Sequence, residues 1–181
     1  MLILILGVLL WAGAHFFKRF APAQRAQMGD KGKGLIAAAI GVSILLMIIG
    51  YRMADGAFFW GRHPATVGIN NLAILIAIYL MSPAAKKGKL LAGMRHPMLT
   101  GFALWAGAHL LVNGDVPSFI LFGGLLAWAL AEIVIINRAE PDWTPREPGP
   151  IAKDAMFLAA SVVLLLAIGW VHGLLGYPAF G

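Results

Sequence analysis

Leu104-Trp105-Ala106-Gly107-Ala108-His109 repeats, residue for residue, the segment Leu10-Trp11-Ala12-Gly13-Ala14-His15. Each copy lies within an apolar run free of charged side chains, Leu2–Phe17 for the first and Met98–Val112 for the second. A helix that is apolar all round has no face for water, so it belongs in lipid or in a deep core. Within each copy the Trp and the His are four residues apart and share one helix face. The three small residues between them let another backbone, or a flat ligand, come close.

Four more apolar runs complete the chain: Leu35–Tyr51, Thr66–Met81, Phe119–Asn137 and Ala155–Leu175. Most of the six fall short of the roughly 20 residues of a full span. Tilt and flanking interfacial residues make up the difference. The breaks, Ala21–Gly34, Arg52–Ala65, Ser82–Pro97, Asn113–Pro117 and Arg138–Asp154, hold most of the Pro, Asp, Lys and Arg. The last, with Pro141, Pro145, Pro148 and Pro150, reads as an extended surface loop.

Composition agrees. Of 181 residues, 60% are hydrophobic and 12% charged, against about 25% charged in soluble domains. The fold expected is all-α: a polytopic membrane helix bundle of about six transmembrane helices, forming a single domain over residues 1–181. No basic region precedes the first run, and Lys18 and Arg19 follow it. That is the pattern of a retained helix that enters the membrane with its N-terminus outside, and not of a signal peptide.

Charge sets the orientation. Lys18, Arg19, Arg25, Lys31 and Lys33 fall in the first connection, Lys86, Lys87, Lys89 and Arg95 in the third, and Arg138, Arg146 and Lys153 in the fifth. Only Arg52 and Arg62 of the fourteen basic residues fall on the other side. The positive-inside rule therefore puts both termini outside the cytoplasm. The net charge of +6 is spread over loops and forms no face for nucleic acid.

Ionisable residues inside a membrane are functional candidates by default. His15 and His109 are placed there, while His63, His96 and His172 fall nearer the interfaces. A lone histidine is most simply packing glue between helices. Two in duplicated contexts favour a shared ligand, and neutral imidazole is an axial ligand of haem iron. The chain has no cysteine, which removes disulfides, thiolate sites and thioether-linked haem. A zinc site needs about four donors, and the apolar runs add only Glu132 to the histidines. Trp11 and Trp105, one turn before the paired histidines, are placed to stack on a porphyrin, though helix packing explains them nearly as well.

Depth tests the pairing. His15 lies about 22 Å from the outer face and His109 about 18 Å from the inner face, from helix rise. In a core of about 30 Å their levels differ by roughly 10 Å. His63 with His109 toward the outside, or His15 with His96 toward the inside, match better in depth. Arg62-His63-Pro64 and Arg95-His96-Pro97 echo one another before apolar runs, with the Pro suited to a first helical turn. Asn113-Gly114-Asp115 reads as a turn at the outer surface. Glu132 is mid-helix and must face the bundle, paired with a His or a backbone donor.

At these residues the chain resembles the NnrU family, small bacterial membrane proteins associated with denitrification gene clusters, which also includes the zeta-carotene isomerase. The resemblance covers nearly the whole length. It rests on the early helix ending in His15, on Arg62-His63, and on the segment from Arg95-His96-Pro97-Met98-Leu99-Thr100 through the second repeat to Asn113-Gly114-Asp115, continued by Phe122-Gly123-Gly124 and Trp128. It implies a haem b protein of the bacterial inner (cytoplasmic) membrane. In the isomerase branch two histidines hold the iron and match His15 and His109, and further histidines match His63 and His96. That branch uses reduced haem to isomerise one cis double bond of a carotenoid with no net redox change. The implied function is thus haem-dependent isomerisation of a hydrophobic polyene, or a part in nitrite or nitric oxide metabolism. Membrane lipid is the expected partner, with a homo-oligomer or a redox partner beside it. Two rival readings stand next to this one. Arg95-His96-Pro97 is also similar to a motif of membrane methyltransferases that use S-adenosylmethionine, although here only Glu132 and Glu140 follow, without a paired Glu. Small-residue helix faces also suit a non-catalytic assembly or transport factor.

Overall fold

The computed structural model describes residues 1–180. Five helices are long and apolar enough to cross a membrane, and a sixth is shorter. In chain order the elements are α1 (Leu2–Phe20), α2 (Pro22–Gln27), α3 (Gly29–Arg52), β1 (Phe58–Trp60), α4 (Pro64–Met81), α5 (Ala84–Lys87), α6 (Pro97–Val112), β2 (Gly114–Asp115), α7 (Val116–Ser118), a π-helical turn (Phe119–Gly123), α8 (Gly124–Ala139) and α9 (Ile151–Leu174). The protein is a polytopic helical membrane bundle. Large apolar side chains on the outer helix faces stay open: Leu9, Leu45, Leu72 and Val163 are each about 60% exposed or more. Such a surface suits lipid, as the five span-length apolar helices require.

Small residues hold the helices together, as expected where lipid removes the hydrophobic drive between them. A Cβ on Gly7 would sit 2.8 Å from the backbone nitrogen of Met47, and one on Gly50 would strike the backbone of Leu4. These two glycines let α1 and α3 pack almost backbone to backbone. Gly101 does the same for α6 against Ala77 of α4. The two pairs meet α8 through Leu4, Val8, Met47 and Leu125 on one side, and Ala103, Trp128 and Ala129 on the other. Helix α9 packs chiefly on α4 and α5.

One end of the bundle gathers the basic connections. Arg19 donates to Glu140 Oε1 at 2.7 Å, Arg95 donates to the Glu140 carbonyl, and Arg146 donates to the carbonyls of Ala84, Ala85 and Gly88. The opposite end holds Met1, the C-terminal segment and the two-stranded ribbon β1–β2. Buried Asp154 ties the start of α9 to the basic end. It accepts from Tyr79 Oη at 2.6 Å and from the backbone N–H groups of Lys89 and Leu90 at 2.6 and 3.3 Å.

Two connections differ from expectation. The break over Ala21–Gly34 is mostly helical: α3 starts at Gly29, which takes a left-handed φ of 51°. Outside the lipid, water can meet the free backbone N–H groups of a polar helix end, so α3 can extend beyond the apolar run, and Asp30 in the first turn favours that end. Asn113-Gly114-Asp115 is not a free turn. Gly114 and Asp115 pair with Trp60 and Phe58, and any side chain at position 114 would strike the Trp60 ring. Asp115 then caps α7 by accepting from Ser118 N at 2.8 Å.

Candidate functional site

The repeat builds an aromatic layer across the middle of the bundle. Trp11 stacks on Phe102 with ring centroids 5.9 Å apart, and Phe102 meets Trp105 at 5.1 Å. Trp128 closes the layer edge-on, 5.2 Å from Phe102 and 5.3 Å from Trp11. Arg19 at the end of α1 and Arg95 just before α6 both bond Glu140, so α1 and α6 are antiparallel. His15 therefore lies one turn from the layer toward the basic end, and His109 one turn toward the other. Four residues of rise each way separate the two levels by about 12 Å.

Each imidazole is locked in the same manner. His15 Nδ1 donates to the Trp11 carbonyl at 2.8 Å, and His109 Nδ1 donates to the Trp105 carbonyl at 2.9 Å. A carbonyl only accepts, so Nδ1 carries the proton and Nε2 keeps its lone pair. Metal-bound histidines are oriented by such a bond to a backbone carbonyl. His172 on α9 has it too, to the Ile168 carbonyl at 2.8 Å.

A cavity of about 1210 Å³ opens between α3 on one side and α4 and α9 on the other. Its floor is α6 and the π-helical turn. Trp11, Trp105, His109 and His172 all line it. The π-turn widens the helix just where Phe122 stacks on His109, with centroids 4.6 Å apart and planes 24° apart. Such turns recur at functional sites. Tyr51 steadies that wall: Ser118 Oγ gives its proton to Asp115, so Tyr51 Oη donates to Ser118 Oγ at 2.8 Å. Toward the outer mouth the lining turns polar, with Arg52, Arg62, Asn70, Asn71 and Asn113. Two buried polar atoms belonging to lining residues lack a partner, Trp11 Nε1 and Asn70 Oδ1.

The other histidines are elsewhere. His15 is wedged between Trp11 at 4.4 Å and Trp128 at 4.6 Å, off the cavity wall. His63 caps α4: its side chain accepts from Ala65 N at 3.3 Å, and Thr66 Oγ1 answers to its backbone N–H. His96 stands at the N-cap position of α6 without a capping hydrogen bond, and its Nε2 donates to Asn137 Oδ1 at 2.8 Å. It lines a second cavity of about 620 Å³ at the basic end, with Arg95 and Arg146. Among the described residues no three His, Asp or Glu side chains cluster as metal donors. A metal here would have to bring most of its own ligands, as a macrocycle does.

The family model for the NnrU protein matches residues 3–179. The chain belongs to the NnrU family. No curated protein and no solved structure matches it. The matched span of this NnrU protein takes in both repeats, the aromatic layer and the whole cavity.

Glu132 faces the bundle, as its position demands, but its neighbour is a cation: Oε1 lies 3.9 Å from Arg19 Nε, and Oε2 has no partner. Glu140, outside the membrane, bonds Arg19 more closely, and that hydrogen bond and charge hold its carboxyl below the usual range. Four cavity residues were not among the sequence candidates: His172, Phe122, Arg52 and Arg62. Arg52 and Arg62 carried a signal, as the two basic residues on the wrong side of the charge bias. His172 carried one in its spacing. Phe157, Ser161, Leu165, Ile168 and His172 recur along one face of α9, and all line the cavity. Phe122 stood in the family signature, but helical spacing did not place it at the site, because a π-turn shifts the register of its helix.

Proposed function

We propose that this NnrU-family protein is a haem b-binding protein of the bacterial cytoplasmic membrane, with the haem in the α3–α4–α6–α9 cavity and its iron held by Nε2 of His109. One observation carries the reading: an imidazole with a fixed tautomer and a free Nε2 sits on the wall of a large apolar cavity. The volume exceeds the roughly 300–1,000 Å³ of ordinary small-molecule pockets, which suits a macrocycle. The residues fit the group in three ways. Trp105 and Phe122 flank the imidazole with flat apolar rings. Trp11 offers an unused N–H. Arg52 and Arg62 offer two guanidinium groups to the two carboxylates of haem.

When bound, the haem supplies a redox-active iron within the membrane, suited to cis–trans isomerisation of a carotenoid-like polyene or to a step in nitrite or nitric oxide metabolism. The chain's own residues would hold the group: His109 would offer Nε2, the apolar wall would exclude water, and Arg52 and Arg62 would offer donors to its anionic groups. The Arg95-His96-Pro97 motif has structural tasks instead. Arg95 donates to the Glu140 carbonyl and His96 to Asn137, which leaves the methyltransferase reading little to draw on.

The test is an optical spectrum of detergent-purified protein expressed with ample haem supply. A Soret band, and a pyridine haemochrome of b type, are expected. A colourless protein under those conditions contradicts the reading.

A further inference from the structure

We infer that the second cavity, at the basic end of the bundle, binds the phosphate headgroup of an anionic phospholipid. The inference stands apart from the haem reading and shares no residue with the proposed haem pocket wall around His109.

The cavity, of about 620 Å³, lies where α4 ends and α6 begins, with the Pro-rich loop after α8 on its other side. Lys86, Arg95 and Arg146 line it, and no Asp or Glu does. Neither guanidinium is neutralised by an acid. Arg95 donates to the Glu140 carbonyl, and Arg146 to the carbonyls of Ala84, Ala85, Gly88 and Glu147. The Glu140 carboxylate is taken by Arg19 at 2.7 Å. Lys86 is exposed and forms no ion pair among the described residues.

The start of α6 adds to this field. Its N-cap residue, His96, makes no capping hydrogen bond, so the N–H groups of Met98 and Leu99 lack an acceptor within the helix. Both residues line the cavity. An open helix N-terminus favours phosphate oxygens, and here it points the same way as three cations.

The rest of the lining selects the source of the phosphate. Met81, Met98 and Ile136 are apolar, and Trp143 at the edge is 39% exposed. Trp beside basic side chains at the ends of spanning helices stands at headgroup level. Basic pockets between helix ends hold anionic headgroups there. A free phosphate gains nothing from the apolar part, whereas a phospholipid sets its first methylenes against it. Topology alone places basic residues at this end of the bundle. It does not gather three of them around one half-apolar cavity without an acid.

The experiment is native mass spectrometry of the detergent-purified full chain, titrated with phosphatidylglycerol, phosphatidylcholine or glycerol phosphate. Wild type is compared with Lys86→Glu and Lys31→Glu, with circular dichroism to verify the fold. Both lysines are exposed and lie at the basic end, so the variants change net charge equally, but only Lys86 lines the cavity. Wild type should retain one phosphatidylglycerol in preference to phosphatidylcholine. Losing a charge-assisted contact in Lys86→Glu should weaken that binding about tenfold or more, and Lys31→Glu should leave it nearly unchanged. Equal retention of the two lipids, or equal losses in the two variants, overturns the inference in favour of diffuse surface attraction. Glycerol phosphate binding as tightly as phosphatidylglycerol overturns the lipid assignment and gives the cavity to a soluble phosphate.

Discussion

His15 and His109 make the same hydrogen bond, Nδ1 to the carbonyl of the tryptophan one turn earlier, at 2.8 and 2.9 Å. They nevertheless lie on opposite sides of the aromatic layer formed by Trp11, Phe102 and Trp105. The repeat is one local design used on two antiparallel helices. The direction of the helix, and not the motif, decides which side each imidazole takes. Only His109 gains a cavity from it.

Arg52 and Arg62 are expected to hold the anionic edge of the ligand. Arg52 has no hydrogen bond or ion pair among the described residues, so Arg52→Gln should leave the fold intact. A charge-assisted hydrogen bond is worth about 1.5 kcal/mol or more, close to a tenfold change in affinity. Each Arg→Gln substitution should therefore speed haem loss to an apo-globin acceptor about tenfold. Unchanged transfer rates in the double variant would place the carboxylates elsewhere.

Gly50 and Gly13 should respond in opposite ways to the same substitution. Gly50→Ala drives a Cβ into the Leu4 backbone, whereas nothing lies within 4 Å of a Cβ on Gly13. Overpacking costs about 1–3 kcal/mol, so Gly50→Ala should lower the unfolding temperature in detergent. Gly13→Ala should be neutral or gain up to about 1 kcal/mol from helix propensity. Equal melting temperatures would contradict the close α1–α3 packing.

Asp154 anchors α9. Asp154→Ala leaves the Tyr79 hydroxyl and the Lys89 and Leu90 N–H groups without their acceptor. Hydrogen bonds to a charged group are worth about 1.5–3 kcal/mol, so a loss of about 3 kcal/mol in unfolding free energy is expected. Asp154→Asn, which keeps one acceptor oxygen, should lose less. Matching losses would mean that the carboxylate geometry is unimportant.

Acid should loosen the basic end before the helices unfold. Glu140 is held below its usual range by its hydrogen bond to Arg19. A carboxyl whose folded value is lowered contributes stability above its unfolded value, and that contribution fades as pH falls through the folded one. Glu140→Gln should remove this part of the acid response, modestly and less so at high salt, because the pair is exposed. Acid unfolding curves of the two proteins at low and high salt check it.

The helices were legible because apolar runs without charge leave one outcome in lipid. Leu2–Phe17 and Thr66–Met81 were read within three residues at either end. The start of α3 was not, since Gly29–Gly34 is polar and glycine-rich, and neither hydropathy nor helix propensity marks it as helical. At the site, the repeat pointed to His109 and to both tryptophans on the cavity wall. No motif surrounds His172, and its spacing along one face of α9 gains meaning only once α9 lies across a cavity from α6. Arg52 and Arg62 were visible as exceptions to the charge bias, but only tertiary structure brings both to one cavity mouth.

The most direct measurement is the haem content of purified His109→Ala beside wild type and His15→Ala, with circular dichroism to verify helical content in each. About one haem per chain is expected in wild type and His15→Ala, and almost none in a folded His109→Ala protein. Full haem occupancy in His109→Ala would contradict the assignment of the iron to this imidazole.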